Sequence, residues 1–259
     1  MKAVDTHADL LRQSASNVGN DHRLGACEAP PAIISMFLGE QLEDVVEQLV
    51  ETGKASKLKE GGVLQTGVST LPDFEKDATD RNRTSPFAFT GNKFEFRMVG
   101  SKDSGGEPNT VLNTIVAEAF CEACDYIEAA EDKDMAIHDL IERYFMEHER
   151  IVFDGNGYSD EWVAEAAKRG LPNLKTMVDA IPALTTEKAV NLFEKFGVFT
   201  KAELESRAEI QYETYAKVIN IEAKSMLQMA KREILPAVIS YAASLADSAT
   251  KLSNAPVEL

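Results

Sequence analysis

The stretch Lys93-Phe-Glu-Phe-Arg-Met98 decides the fold class, together with the loop-forming run Ser101-Lys-Asp-Ser-Gly-Gly-Glu-Pro-Asn109 that follows it. Strict alternation means that a strand here turns Phe94, Phe96 and Met98 to the core and lines the other face with Lys93, Glu95 and Arg97. Beyond the Gly/Ser/Pro cluster the period changes from two to helical. Val111, Leu112, Ile115, Val116, Ala119, Phe120, Ala123 and Ile127 form an apolar stripe over a helix from about Thr110 to Ala130. Strand-like and glycine-rich sequence thus precedes residue 109, and helical sequence follows it.

Working outward, Asp5 to Ser16 reads as a short helix, and Gln41 to Thr52 as an amphipathic one. On the C-terminal side a helix covers Met135 to Ile151. Phe153-Asp-Gly-Asn-Gly-Tyr158 is a turn, and Ser159 or Asp160 caps a helix through Trp162 to Ala167. Thr200-Lys-Ala-Glu203 is a capping box that opens a very long helix, with Phe199 and Leu204 stapled around it. Leu204, Ala208, Tyr212, Tyr215, Ile219, Met226 and Met229 recur along it as core positions, up to a kink expected at Pro236. The fold class is α+β: a partial antiparallel sheet with flanking helices, then an α-helical bundle.

The 259 residues carry 27 Lys plus Arg against 43 Asp plus Glu, a net charge of -16 that repels nucleic acid and anionic membrane surfaces. No uncharged apolar run approaches the roughly 18 residues of a bilayer-spanning helix, and the start lacks a signal peptide. Three cysteines, Cys27, Cys121 and Cys124, do not make a disulfide framework, and a cytoplasmic location is expected. Cys121 and Cys124 form a C-x-x-C without the further pair that zinc needs, so they read as small buried thiols on the striped helix. His138 and His148 read as surface or capping residues.

Chemistry concentrates in three segments: Asp21-His-Arg-Leu-Gly-Ala-Cys-Glu-Ala-Pro-Pro31, Asp80-Arg-Asn-Arg-Thr-Ser-Pro86, and Lys93 to Arg97. Arginines in the loops of an acidic protein suit a local anion pocket, because guanidinium forks match carboxylates and phosphates. A carboxylate between two cations adds a magnesium ligand of the kind that accompanies phosphates. The same residues also fit a salt-bridged strand face and ordinary turns.

In this order, Asn20-Asp-His-Arg-Leu-Gly-Ala-Cys-Glu-Ala-Pro-Pro31, Asn82-Arg-Thr84 and Thr90-Gly-Asn-Lys-Phe-Glu-Phe-Arg97 resemble the C-terminal half of the catalytic domain of glutamine synthetases, in the wording of the type III branch. Phe153 to Trp162 and Val198 to Leu204 are similar to that branch's helical extension. The resemblance implies residues 1–120 as catalytic-domain sequence and 121–259 as the helical domain. It implies ATP-dependent ligation of ammonia to glutamate through γ-glutamyl phosphate, with Mg²⁺ or Mn²⁺, in a cytoplasmic homo-oligomer of stacked rings. By that resemblance Arg23 and Arg97 bind substrate, Glu28 and Arg83 are catalytic, Arg83 and Lys93 contact nucleotide, and Glu95 is a metal ligand.

The chain departs from the family pattern where Ser85 to Phe89 replaces a second arginine and where Cys27 stands for asparagine. The family's first catalytic half, with its other metal ligands, has no counterpart upstream, so an inactive C-terminal fragment with exposed sheet edges is expected. The competing expectation is a non-catalytic oligomerisation or regulatory module.

Overall fold

The computed structural model describes residues 1–55, 63–64, 74–75 and 82–255. Asp80 and Arg81, singled out above, lie outside them. Helices α1 (Lys2–Thr6), α2 (Ala8–Ser14) and α3 (Val18–Asp21) open the chain. The single helix expected over Asp5 to Ser16 is therefore divided at His7, whose φ of -117° breaks the turn.

A three-stranded sheet follows, in the order β1 (Met36–Phe37), β4 (Phe87–Phe89), β5 (Phe94–Phe96). Strand β4 pairs antiparallel with β5 but parallel with β1, so the sheet is mixed rather than antiparallel. The parallel pair needs a long crossover, and helix α4 (Glu40–Thr52) lies within it. That crossover also contains the antiparallel pair β2 (Val63–Leu64) and β3 (Phe74–Glu75).

The alternating face of β5 is only partly as expected. Met98 is fully buried, but Phe94, expected in the core, is 43% exposed. Its strand lies at the edge of the sheet, where Phe94 stacks on Phe87 at 5.4 Å instead of entering the core. Lys93, Glu95 and Arg97 share one polar cluster.

Helix α5 (Gly106–Ala129) starts four residues before the expected Thr110, and α6 (Lys133–His148) continues as a 3-10 turn to Ile151. The stripe of α5 is buried at Val111 and Ile115 but reaches the surface at Phe120, which is 66% exposed. Cys121 and Cys124, expected to be buried, are both exposed. Helices α1 and α6 pack on α5 without covering this side of it, so its apolar period outlasts its burial. Ser159 caps α7 (Asp160–Lys168) by accepting the Trp162 N–H. Short α8 (Met177–Ala180) and α9 (Glu187–Lys195) follow.

Residues Met1–Tyr212 form one compact unit, and Glu213–Leu259 a second. In the first, side chains as distant in sequence as Leu10, Ile34, Met98, Ile151, Trp162 and Leu204 share one core. Arg12, 1% exposed, donates from Nε to the Leu174 carbonyl at 2.9 Å and from Nη1 to Ser16 Oγ at 2.8 Å. Burial lowers its pKa to about 10. His138 Nε2 meets the Gly53 carbonyl at 2.9 Å. His148 and Arg150 converge on buried Asp5 at 2.7 and 2.8 Å.

The box at Thr200 forms, with the Thr200 N–H donating to Glu203 Oε2 at 2.8 Å, and it opens α10 (Lys201–Met229). In the second unit, a π-helical segment, Ala230–Ile234, leads into α11 (Leu235–Ser253), with Pro236 in its first turn. The break expected at the proline thus falls one turn earlier, where the missing N–H and ring clash are absorbed by a changed hydrogen-bond period. Met226 and Met229, expected as core, are 66% and 50% exposed. Periodicity identifies an apolar face but not its partner.

Candidate functional site

Three loops carry the candidate residues, and each is fixed by its own local chemistry. The first follows α3. The Arg23 N–H donates to the Asn20 carbonyl, and the Gly25 N–H donates to the carbonyls of Ala29 and Pro30 at 3.3 and 3.1 Å, closing a tight loop. Cys27 at its tip has φ of +59°, a left-handed conformation that costs a side-chain-bearing residue about 1 kcal/mol.

Arg23 does not float. Its Nη1 donates to Asn20 Oδ1 at 2.6 Å, and its Nε lies 3.7 Å from Glu28 Oε1. Asn20 is 2% exposed and turns its amide nitrogen to the carbonyls of Ala15 at 2.7 Å and Met98 at 3.1 Å. One buried amide therefore holds the Arg23 fork and the backbone next to Arg97.

The second loop is an Asx turn: Asn82 Oδ1 accepts the Thr84 N–H at 3.0 Å and the Thr84 hydroxyl at 2.7 Å. Asn82 Nδ2 donates to the Gly155 carbonyl at 2.7 Å, and the Gly157 N–H donates to Thr84 Oγ1 at 2.9 Å. The turn that carries Arg83 is thereby sewn to the Phe153–Tyr158 turn. Gly157 is required by this approach, since a Cβ there would sit 2.9 Å from the Thr84 carbonyl. Arg83 itself is exposed.

The third segment is β5 with its flanks. Arg97 donates from Nε and Nη2 to Glu95 Oε2 at 3.2 and 3.1 Å, and from Nη1 to the Asn82 carbonyl at 2.7 Å. Lys93 Nζ lies 3.8 Å from Glu95 Oε1. Glu95 thus has a cation on each oxygen.

The structure joins Lys93, Glu95, Arg97 and the backbone of the Arg83 turn in one cluster, and ties Arg23 and Glu28 to it through Asn20. Asn20, Asn82, Thr84 and Gly157 stand inside the quoted motifs, but the motifs assign them no role, and the structure makes them the ties between the loops. An asparagine two residues before a threonine in a Ser/Pro-containing loop was a legible Asx signal, whereas the Asn20 junction spans 78 residues of sequence and left none.

A cavity of about 260 Å³ opens beside the first loop, lined by Asp21, Leu24, Pro31, Gly157, Tyr158 and Lys175 among others. Burial pushes the Asp21 carboxyl above its ordinary range, although Oδ1 accepts the Met177 N–H at 2.8 Å and Arg12 pulls the other way. Burial also pushes the Tyr158 hydroxyl up, with Cys27 adding to the shift. Among the described residues no three His, Cys, Asp or Glu side chains converge to hold a metal ion, so Glu95 by itself does not fit a complete metal site. Among those residues no helix is long and apolar enough to cross a membrane.

Residues 136–253 match the family model of the glutamine synthetase C-terminal domain. The chain is 42% identical over 257 residues to a type-3 glutamine synthetase of Dictyostelium discoideum, covering 97% of this chain and 35% of that protein. It is 43% identical over 242 residues to a glutamine synthetase of Butyrivibrio fibrisolvens, covering 92% and 34%. For a glutamine synthetase of Bacteroides fragilis (strain YCH46) the identity is 37% over 257 residues, covering 97% and 35%. The chain spans about a third of the length of the curated relatives it matches.

Proposed function

We propose that this chain, whose kinship is with the C-terminal part of the glutamine synthetases and the type-3 branch among them, contributes one portion of an ATP-dependent glutamate–ammonia ligase. The observation that carries the reading is the Arg97 guanidinium, which joins Glu95 to the Asn82 carbonyl and so binds strand β5 to the Arg83 turn. Residues 1–120 supply the anion-binding loops in this reading, and 121–259 the helical domain, in keeping with the family match at 136–253.

The roles are those that the resemblance implies, and each residue's chemistry suits its role. Arg23, held by Asn20 and 29% exposed, offers its remaining N–H groups to a glutamate carboxylate, a planar fork that lysine does not reproduce. Arg83, exposed on a rigid turn, is placed to reach a transferring phosphoryl group and to stabilise charge on its oxygens. Lys93, 66% exposed, contacts nucleotide, and Arg97 orients substrate and the Arg83 turn together. Glu28 is 70% exposed, and a carboxylate there takes a proton from ammonium once the loop closes and excludes water.

A divalent cation would neutralise phosphate charge in such a reaction. Glu95 is this chain's carboxylate for it, but with both oxygens already engaged it needs further ligands from outside the described residues. The 259 residues alone are therefore expected to form no glutamine. The test joins the chain to the upstream portion of a type-3 relative and measures ATP- and ammonia-dependent glutamine formation. Activity that falls at least about a hundredfold in Arg83→Ala supports the reading, and a folded, inactive hybrid, or activity indifferent to that change, overturns it.

A second reading, association with further copies of the chain as a non-catalytic module, is favoured by α11. Leu235, Val238, Ile239, Tyr241, Leu245 and Leu252 are each more than half exposed there. Sedimentation of the chain with and without Val238→Asp separates a self-associating helix from a monomer.

A further inference from the structure

The C-x-x-C of α5 is left without a role by everything above. Cys121 and Cys124 are exposed, one helical turn apart, on a helix whose N-terminal half is anchored by buried Val111, Thr114 and Ile115. Near the pair the helix is pinned to the start of the chain. Glu122 pairs with Lys2, and Glu118 Oε2 lies 2.7 Å from His7 Nε2. The turn bearing both thiols is thus rigid and faces solvent, with Phe120 and Glu128 beside it, both also exposed.

Geometry then selects what the two sulfurs do. Side chains three residues apart on an α-helix keep their Cβ atoms about 5–6 Å apart, whereas a disulfide needs about 3.5–4.5 Å. Direct oxidation to a disulfide would have to distort a helical turn that Glu118 and Glu122 tie to the start of the chain. A third atom bonded to both sulfurs spans the gap without moving the backbone. Zinc and its relatives want four ligands, and no third thiol, imidazole or carboxylate joins the pair among the described residues. Two sulfurs alone satisfy a soft centre of low coordination number. With Glu122 paired to Lys2, the neighbouring Glu118, Asp125 and Glu128 still give this face a negative field that draws cations.

We infer that Cys121 and Cys124 form a two-thiol chelating site for a thiophilic centre, either a monovalent copper-like cation or a trivalent arsenical. With an organoarsenic oxide the step is balanced without oxidant. The arsenic–oxygen double bond breaks, two arsenic–sulfur bonds form, and the two thiol protons leave with the oxygen as water. With the cation, two protons are released and the metal is held between the sulfurs.

The test uses the intact chain in a Cys27→Ser background, which leaves only the pair, with Cys121→Ser and Cys124→Ser added singly; circular dichroism checks that helicity is kept. Phenylarsine oxide is added at one equivalent, the adduct is challenged with excess glutathione, and intact mass is read. Chelation predicts one arsenical per chain that resists the monothiol about a hundredfold better than in either single-cysteine variant and yields to a dithiol. Copper(I) is tested separately by competition against a chromophoric chelator, and the same loss is expected in both variants. An adduct equally labile with two thiols or one, or two arsenicals bound per chain, overturns the site. Ready loss of two hydrogens in oxidised glutathione without arsenical retention also overturns it, since that would mean the sulfurs meet directly.

Discussion

Replacing Asn20 by alanine removes one side chain from three bonds at once. Its Nδ2 serves the carbonyls of Ala15 and Met98, and its Oδ1 takes the charged Arg23 fork at 2.6 Å. Neutral bonds contribute about 1 kcal/mol each and a bond to a charged group about 2 kcal/mol, a gross loss of about 4 kcal/mol. Arg23 is 29% exposed, so water recovers part of its share, whereas the Asn20 side chain's own pocket stays dry. The expected net loss is about 3 kcal/mol, a large part of the roughly 5–15 kcal/mol that holds a domain together.

Trp162 is the chain's one tryptophan, is 1% exposed and stacks on Phe153 at 3.7 Å, so its fluorescence follows urea unfolding of the shared core. Arg23→Met is the companion, since it removes the charged bond and the loose 3.7 Å pairing with exposed Glu28 but keeps both bonds from the Asn20 amide nitrogen, and it should cost about 1 kcal/mol. The midpoint should shift at constant slope. A loss below about 1 kcal/mol in Asn20→Ala, at unchanged slope, would refute the claim that this amide is the junction between the first loop and β5.

Three further outcomes are expected. Gly157→Ala puts a methyl group against the Thr84 carbonyl and Pro31, so it should cost about 1–3 kcal/mol in the same urea assay, with indifference counting against the sewn turns. Cys27→Asn relaxes a left-handed position at which asparagine is better tolerated, and should raise stability by a few tenths to about 1 kcal/mol; a decrease would mean the thiol is engaged. His7 titrates below its ordinary 6.5, because burial outweighs the opposing pull of Glu118. The unfolded chain then takes up that proton first, so the contribution of His7 to stability is fully present above about pH 6.5 and is lost as the pH drops towards the folded-state value. His7→Gln should reduce this fall when unfolding midpoints are compared at about pH 7 and pH 5.5, and an identical slope in both proteins would contradict it.

The sequence by itself determined what is local or repetitive. Ser159 caps α7 because a hydroxyl three residues before Trp162 reaches an orphan N–H. The box at Thr200 and Glu203 closes for the same reason, and alternation along Lys93–Arg97 sets three charges on one face because strand period is two. Motif order also identified the three charged segments. Tertiary structure decided which of these meet. Nothing in the residues near Asn20 announces Met98, nor in those near Asn82 announces Gly155, since such bonds depend on how distant segments pack.

The same limit explains the misplaced burial. An apolar stripe reports that a face can be covered, but not what lies against it. Phe94 came to rest at a sheet edge, Cys121 and Cys124 on an open turn of α5, and Met226 and Met229 at the surface of their helix. Periodicity is a property of one element, whereas burial belongs to a pair of them, and only the folded chain supplies the second member.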